Sequence, residues 1–464
     1  MYKKYLINNL KFILFFLYGI LFFLKDSVYS QVIPSDFFQY KLSRLLYDSG
    51  SNWGSISLFH DIEHKFKNDK MATKSNRVIR ESKSSIYLLK KHFSIINYNY
   101  LKFQNNFYFF NYLKLGSKIN IFRLHGKIDG NNEGNRLEVE SSGIGYFNNW
   151  VNLKIERGRE SWGAGENIEL ALSSSSEPYN YFSLFSDYGN IRVKYIHGFL
   201  EETPSNINRF LTARGLEWTN KKSFIIGFSE TIIYSGLYRS LDIGYLNPLS
   251  SHLEIELNDR LNLVGDASSN AVWQVNSDWF IADKYRISLN YLFDEFVLDK
   301  EVEIGKEHGR AYSLRFSYTA MSYSNSLLTF YGQKVLIGTP TFRHGNGYNN
   351  FVQNYKPLGW AGGSDSEELS LGINYSNKSS IIWLVKAGMI STGQESITKR
   401  IFDPYEDYLE GLFPSGEIDH EIFLNSKFEW VLKNNNRLFL FINTSFRNKS
   451  SILFGLNISV PNFI

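Results

Sequence analysis

An alternation of apolar and polar residues, with a period of two, runs from about residue 97 to the end of the chain. It is clearest in residues 285–294, 312–320, 369–375 and 452–460, where aromatic and aliphatic residues alternate with Arg, Asn, Ser and Gly. This period is typical of β-strands, and strands of about ten residues have the length that a tilted strand needs to cross a bilayer. A soluble sandwich or propeller also alternates, but one of this length without intervening helices would be very large. The pattern therefore favours a membrane barrel.

The length of this region predicts the number of strands. Residues 97–464 comprise 368 residues, and a strand with its share of turns uses about 20 of them. We expect an all-β, antiparallel transmembrane barrel of about 18 strands. A barrel of this width leaves a lumen that wall side chains cannot fill, so water, loops or a plug must occupy it. Short turns at 375–380 and 434–436 are predicted to face the periplasm, and longer polar segments such as Phe342–Glu368 to be extracellular.

The N-terminus has the pattern of a secretory signal peptide, predicted here as residues 1–30. Lysines precede the apolar run Phe12–Leu24, and small residues follow it. Its thirteen residues are fewer than the roughly 20 of a membrane-spanning helix, which makes an uncleaved anchor the weaker alternative. We expect cleavage between Ser30 and Gln31, export, and insertion into the outer membrane.

Residues 31–96 have a different pattern, which predicts a short periplasmic α-helical part before the barrel. Apolar positions fall on one helical face in Pro34–Gly50, and two further helices are predicted at Ile56–Phe66 and Arg80–Lys91. The predicted barrel then occupies residues 97–464.

Composition excludes several classes of site. The chain has no cysteine, so disulfides and thiolate metal sites are excluded. Lys plus Arg number 50 against 46 for Asp plus Glu, and no charge asymmetry indicates nucleic-acid binding. We expect outer-membrane lipid and lipopolysaccharide around the barrel, and a monomer.

A set of motifs in a fixed order resembles the capsule assembly Wzi family. The most specific is R-G-R-x-x-W-G-A-G followed by L-x-L-S-S and a proline, at residues 157–178; YLNP, FDEF and PLGWAGGSDSEEL follow at 245–248, 293–296 and 357–369. The resemblance spans nearly the whole mature chain. It implies an outer-membrane barrel of about 18 strands, a periplasmic helical portion, and lectin-like binding of capsular polysaccharide at the cell surface. The motif residues expected to be structural are Gly158, Gly163, Gly165, Asn247 and Pro248.

Two interpretations of the charged and aromatic residues stay open. Arginine forks bind the carboxylates of acidic sugars and aromatic rings stack on sugar rings, but lumen charges also pair with one another to hold a plug. For the cluster Arg157, Arg159, Glu160 and Trp162, with both arginines predicted on one strand face, we favour the structural interpretation. The further candidates are Arg192, Arg209, Asp294, Glu295 and Arg315 in the lumen, and Tyr348, Trp360 and Asp365 in the long extracellular loop.

An enzymatic function is not predicted. His60, Glu63 and His64 match the H-x-x-E-H spacing of inverted zinc peptidases, but no further carboxylate pattern supports a metal site, and no nucleophile or phosphate motif is present. We predict no cofactor and no metal. The predicted function is non-catalytic binding and organisation of capsular or exopolysaccharide, and the alternative is a diffusion porin or uptake channel for small solutes.

Overall fold

The computed structural model describes most of the chain from residue 79 onwards and short pieces before it. The described residues are 48–49, 57–60, 79–89, 92–103, 106–117, 135–148, 150–201, 206–257, 268–294, 307–323, 326–345, 347–377, 381–401, 411–431, 437–445 and 451–461. The predicted signal peptide, residues 1–30, lies outside them.

The described residues form an antiparallel barrel. The strands are, in chain order, β1 (Phe59–His60), β2 (Ile79–Leu89), β3 (His92–Phe103), β4 (Phe107–Ser117), β5 (Asn135–Phe147), β6 (Val151–Gly158), β7 (Ser161–Trp162), β8 (Tyr179–Asp187), β9 (Ile191–Phe199), β10 (Ile207–Thr219), β11 (Phe224–Leu237), β12 (Ser268–Ile281), β13 (Tyr285–Phe293), β14 (Arg310–Tyr323), β15 (Ser326–Ile337), β16 (Val352–Gln353), β17 (Lys356–Pro357), β18 (Ser366–Asn377), β19 (Ile381–Thr392), β20 (Asp419–Val431), β21 (Arg437–Ser445) and β22 (Ser451–Pro461). Within these residues, eighteen strands form one closed barrel, in which β22 pairs with β2. The strand β1 pairs with β7, and β16 with β17. The prediction of an antiparallel barrel of about 18 strands is confirmed.

The barrel begins earlier than predicted. Residues 79–96 belong to β2 and β3, so the wall starts at Ile79 rather than residue 97, and the helix predicted at Arg80–Lys91 is wrong. Because β2 pairs with β3 on one side and β22 on the other, ladder hydrogen bonds on both edges outweigh its weak helical pattern. Of the other two predicted helices only small parts are described: Asp48 is helical, whereas Phe59 and His60 are extended in β1.

The alternation predicted from the sequence divides the wall into two faces. In β13, Tyr285, Leu289 and Tyr291 are exposed on the outside, whereas Arg286 and Asn290 are fully buried on the inside. An apolar exterior and a polar interior are characteristic of barrels whose outer face contacts lipid. No described helix is long and apolar enough to cross a membrane.

The connections at the two ends of the barrel differ in length. Those at one end, the short-turn end, include 148–150, 188–190, 220–223, 282–284 and 378–380. Those at the other end, the long-loop end, include 159–178, 238–267, 294–309, 338–365 and 393–418. Both predicted tight turns fall at the short-turn end, and the predicted loop Phe342–Glu368 falls at the long-loop end. Exposed aromatic residues ring the short-turn end, as at the interfacial girdles of membrane barrels: Trp150, Tyr188, Trp218, Trp279 and Tyr285.

Candidate functional site

A loop that folds into the barrel, residues 159–178 between β6 and β8, is called the plug loop here. The chain turns inward at Gly163 (φ +142°) and Gly165 (φ +85°), conformations that favour glycine. A Cβ on Gly165 would also lie 2.7 Å from Ile168. Glycine at these two positions allows the inward turn without backbone strain.

Trp162 is the central residue of the plug loop. Its ring is buried and packs edge-on against Phe59 of β1, with ring centroids 4.8 Å apart. Its indole nitrogen donates a hydrogen bond to Glu160 Oε2 (2.9 Å), which also accepts one from Lys194 Nζ (2.6 Å). Neither face of this ring is offered to a sugar at the surface, and Glu160 is occupied by Trp162 and Lys194 at Oε2 and by Lys154 (3.9 Å) at Oε1.

Side chains of the wall hold the plug loop through its backbone. Asn290 of β13 accepts a hydrogen bond from the Ala164 amide (2.6 Å) and donates one to the Ala164 carbonyl (2.8 Å). Ser313 of β14 donates to the carbonyl of Ile168 (2.7 Å). These hydrogen bonds from side chains of the wall satisfy backbone N–H and C=O groups of the plug loop, which would otherwise be buried without a partner.

Buried ion pairs tie the N-terminal part of the chain to the wall. The Arg315 guanidinium pairs with Asp48, and both side chains are buried. Glu217 pairs with Arg192 (2.7 Å) and accepts a hydrogen bond from the Leu58 amide (2.7 Å). The described residues 48–49 and 57–60 thus lie against the inside of the wall, and the rest of the predicted periplasmic part before Ile79 lies outside the described residues.

Arg209 of β10 holds the long loop between β15 and β18. Its guanidinium donates to the carbonyls of Tyr348 (2.6 Å) and Asn350 (2.7 Å) and pairs with Glu201 (2.6 Å). Burial raises the pKa of the Glu201 carboxyl above its ordinary value, and the nearby Arg209 opposes that rise. An arginine with this many internal acceptors is a structural clamp.

Asp365 and Asp294 have similar roles at the base of that loop. Asp365 is fully buried and accepts hydrogen bonds from two backbone amides and two hydroxyls. Asp294 accepts a hydrogen bond from the Phe342 amide. Trp360 is buried in the same core as Trp162, and Tyr348 is half-buried. Glu295 lies outside the described residues.

The two arginines of the R-G-R-x-x-W-G-A-G motif do not share one strand face. Arg157 is the last residue but one of β6 and lies on the alternating face of Ile155, which is exposed on the outside of the barrel. Arg159 follows the end of β6, and its Nε donates to the carbonyl of Ser176 (2.6 Å), which closes the base of the plug loop. The structure therefore separates the pair.

The remaining motif residues are also accounted for. Gly158 ends β6 in close contact with Glu156. Asn247 caps a short helix and its side chain bonds Leu249 N and Ser250 Oγ, whereas Pro248 is exposed. Among the described residues, no group of three or more His, Asp or Glu side chains is placed to hold a metal; His60 is described, but Glu63 and His64 are not.

The long-loop end carries an exposed aromatic residue that the sequence patterns did not single out. The strands β16 and β17 form a hairpin, here the tip hairpin, whose turn residues Asn354 and Tyr355 have φ of 47° and 61°. Tyr355 is 69% exposed. The hairpin is fixed by the ion pair of Lys356 with Glu177 of the plug loop (2.7 Å). A bulky side chain at positive φ is uncommon and is seen where surrounding contacts hold it.

Sequence patterns also did not indicate which carboxylates would pair with the predicted arginines. Asp48 and Glu217 are single carboxylates in unremarkable segments, and only the fold brings them to Arg315 and Arg192. Tyr355 was detectable in part, because Asn-Tyr-Lys-Pro is a plausible turn inside a long polar loop.

Comparison with known proteins establishes the fold. A scan against family models and a search of curated protein sequences find no match. Among solved structures, the chain is similar to Wzi of Escherichia coli, an outer-membrane protein involved in group 1 capsule assembly and described as a carbohydrate-binding β-barrel, with a TM-score of 0.59, 10% identity, and 87% of each chain covered. Pseudomonas aeruginosa OpdL matches at a TM-score of 0.42 and 11% identity, over 82% of this chain and 97% of its own. The chain thus has the fold of an outer-membrane β-barrel.

Proposed function

We propose that this protein is a non-catalytic outer-membrane protein that binds and organises capsular or exopolysaccharide at the cell surface. The observation that carries the proposal is the internal pairing of the predicted lumen arginines. Arg315 pairs with the N-terminal part, Arg192 with a carboxylate of the wall, and Arg209 with the long loop. A diffusion porin needs a continuous watery path, which this packing disfavours. The similarity to a carbohydrate-binding barrel supports the same function.

The binding surface would be the long-loop end, facing outwards, with the short-turn end in the periplasm. Tyr355 supplies an exposed ring for stacking on a sugar, and Lys356 beside it is partly exposed. Aromatic faces and cations together suit a polysaccharide that carries carboxylates. The buried candidates Trp162, Trp360 and Asp365 would support this surface from below rather than touch the glycan.

Binding of purified protein to an immobilised acidic capsular polysaccharide tests the proposal. Tyr355→Asn removes the ring and suits the positive φ, so we expect binding to weaken about three- to tenfold, the size of an aromatic contact. Tyr355→Phe keeps the ring and should bind like the parent. The matched control is Tyr188→Asn, which removes a tyrosine 63% exposed at the opposite end. Equal binding by the Tyr355→Asn variant and the parent would remove the tip hairpin from the site.

Conductance in planar bilayers separates the two functions. We expect the parent protein to be nearly closed, since the lumen charges are engaged internally. Large, stable currents from every inserted molecule, with no glycan binding, would instead identify a porin.

A further inference from the structure

One part of the outer wall carries polar side chains where lipid would be expected. On β10, Leu216 and Trp218 face outwards and are exposed, and the strand alternation places Arg214 on the same side. On β11, exposed Ile226 and Phe228 share their face with Glu230. Arg214 and Glu230 are cross-strand partners and form an ion pair (3.1 Å) on the outside of the barrel.

This ion pair lies at the depth of the hydrocarbon. Trp218 belongs to the aromatic girdle, and Arg214 precedes it by four residues in β10, about 13 Å along the strand towards the long-loop end. With a strand tilt of about 40°, this is a height of about 10 Å within an apolar band about 25 Å tall. A charged pair at that height must be shielded from hydrocarbon, because lipid cannot form hydrogen bonds with its charged groups.

The segment 238–257 supplies the cover and is called the clasp here. It leaves β11 at the long-loop end, forms the short helices α1 (Ile243–Leu246) and α2 (His252–Leu257), and folds back over the outer wall. The His252 amide donates to Glu230 Oε1 (3.0 Å), and Arg214 Nη1 donates to the Asn247 carbonyl (3.2 Å). Tyr245 is fully buried against Tyr234 of β11, with ring centroids 4.6 Å apart.

The outer face of the clasp carries large exposed apolar side chains, and the exposed Asn247 bonds Leu249 and Ser250 within the clasp. Ile243 is 76% and Leu249 91% exposed, and Leu253 is exposed as well. The exposed apolar wall begins directly beside the clasp, because Phe228 is the next outward-facing residue to Glu230 on β11, and the clasp contacts Glu230.

We propose that the clasp is a lipid-facing cover embedded in the bilayer, reaching from the long-loop end to about the middle of the hydrocarbon. Ile243, Leu249 and Leu253 contact acyl chains, while the inner face of the clasp satisfies the polar groups of the wall. Continuity with the lipid-facing belt, together with the depth of the Arg214–Glu230 pair, identifies hydrocarbon as the occupant of this face. The inference depends on the transmembrane barrel and is independent of glycan binding.

Single-cysteine labelling tests this proposal, because the chain has no cysteine of its own. Ile243→Cys and Leu249→Cys variants carry a nitroxide and are reconstituted into liposomes. Phe228→Cys marks the lipid belt, and Leu412→Cys, at a leucine 90% exposed in a loop of the long-loop end, is the matched control. Spin-label collisions with oxygen report lipid, and collisions with a water-soluble nickel chelate report water.

We expect the oxygen-to-nickel collision ratio at residues 243 and 249 to equal that at 228 and to exceed that at 412 several-fold. Ratios at 243 and 249 that match residue 412 would place the clasp in water and overturn the proposal. Loss of both kinds of collision at 243 and 249 would also overturn it, in favour of a second protein copy on this face. Circular dichroism of each labelled variant checks that the barrel has folded, and no glycan is present, so the outcome does not depend on the proposed function.

Discussion

At the scale of single residues, Asp365 shows how a candidate ligand-binding side chain becomes an internal fastener. Each carboxylate oxygen accepts one backbone amide and one hydroxyl: Oδ1 from Ser415 N (2.8 Å) and Thr339 Oγ1 (3.0 Å), Oδ2 from Glu395 N (3.0 Å) and Ser415 Oγ (2.6 Å). Asp365 thereby joins the loop before β18 to the loop between β19 and β20. Its carboxylate has no face directed at a glycan.

The substitution Asp365→Asn tests this role with little change of shape, since asparagine also tolerates the positive φ of 53° at this position. Whichever oxygen becomes an amide nitrogen then faces a backbone N–H. We expect a loss of about 1–3 kcal/mol, the cost of an unsatisfied buried donor, measured as a lower urea midpoint of unfolding, with faster proteolysis of the long loops. The control Glu417→Gln removes an exposed carboxylate from the same region and should leave both unchanged. Unchanged stability of the Asp365→Asn variant would contradict the fastening role.

Residue types alone predicted that charges would collect in the lumen, but not which charges would pair. Three of the predicted arginines have partners in the lumen or in the loops that fold over it: Arg192, Arg209 and Arg315. Arg157 instead lies on the outer face, because side chains alternate along a strand and Arg157 is two residues from the outward-facing Ile155. The outward orientation of Arg157 could have been predicted from the alternation of apolar and polar residues in this strand. The partner Asp48 could not, because it is separated from Arg315 by 267 residues.

At the scale of elements, the plug loop is stabilised by its core as well as by its hydrogen bonds. Trp162 packs with Phe59 and with the cluster of buried apolar residues that includes Leu170 and Trp360. The Trp360 amide donates to the Leu170 carbonyl (3.2 Å), which joins the plug loop to the long loop above it.

The substitution Trp162→Ala should loosen this element and open a path. Removing a buried tryptophan costs about 3–5 kcal/mol, and the cavity lies in the lumen, so we expect single-molecule conductance to rise above the nearly closed parent. The control Trp150→Ala removes an exposed tryptophan of the short-turn end and should leave conductance unchanged. A conductance of the Trp162→Ala variant equal to that of the parent would show that other segments close the pore.

The elements that sequence reasoning predicted are those with a clear period. Residues in β13, β14, β18 and β22 alternate over most of their length, and all four are wall strands. The strand β2 was missed because its polar residues precede its apolar ones, so alternation is weak and a short amphipathic helix fits equally well. The extended conformation of β2 is decided by its pairing with β3 and β22, and the residues of β22 are far away in the chain.

At the scale of the whole molecule, closure depends on the seam between the first and last wall strands. Seven residue pairs join β2 to β22, from Lys83–Pro461 to Leu89–Gly455. An unclosed barrel would leave two unpaired strand edges, which membranes do not tolerate and which invite aggregation.

The substitution Asn457→Pro targets that seam. Asn457 is opposite Tyr87 of β2 and Arg437 of β21, and proline has no N–H to donate and fits poorly in a strand paired on both sides. We expect refolded protein to lose most of its ability to float with liposomes and to aggregate instead, whereas Asn457→Ala should float like the parent. Normal flotation of the proline variant would mean that the seam adapts to a broken ladder.

The way the plug loop is attached limits how this barrel could ever open. The wall residues that flank it, Gly158 and Tyr179, are paired neighbours on adjacent strands, so the loop is anchored at both ends at one point of the barrel rim. A separate plug domain could leave the lumen as one unit, whereas a loop that is joined to the wall at both ends can only move about those two points. Any opening of the lumen at this loop would therefore require the loop to move about these two anchors while both of its ends stay in the wall.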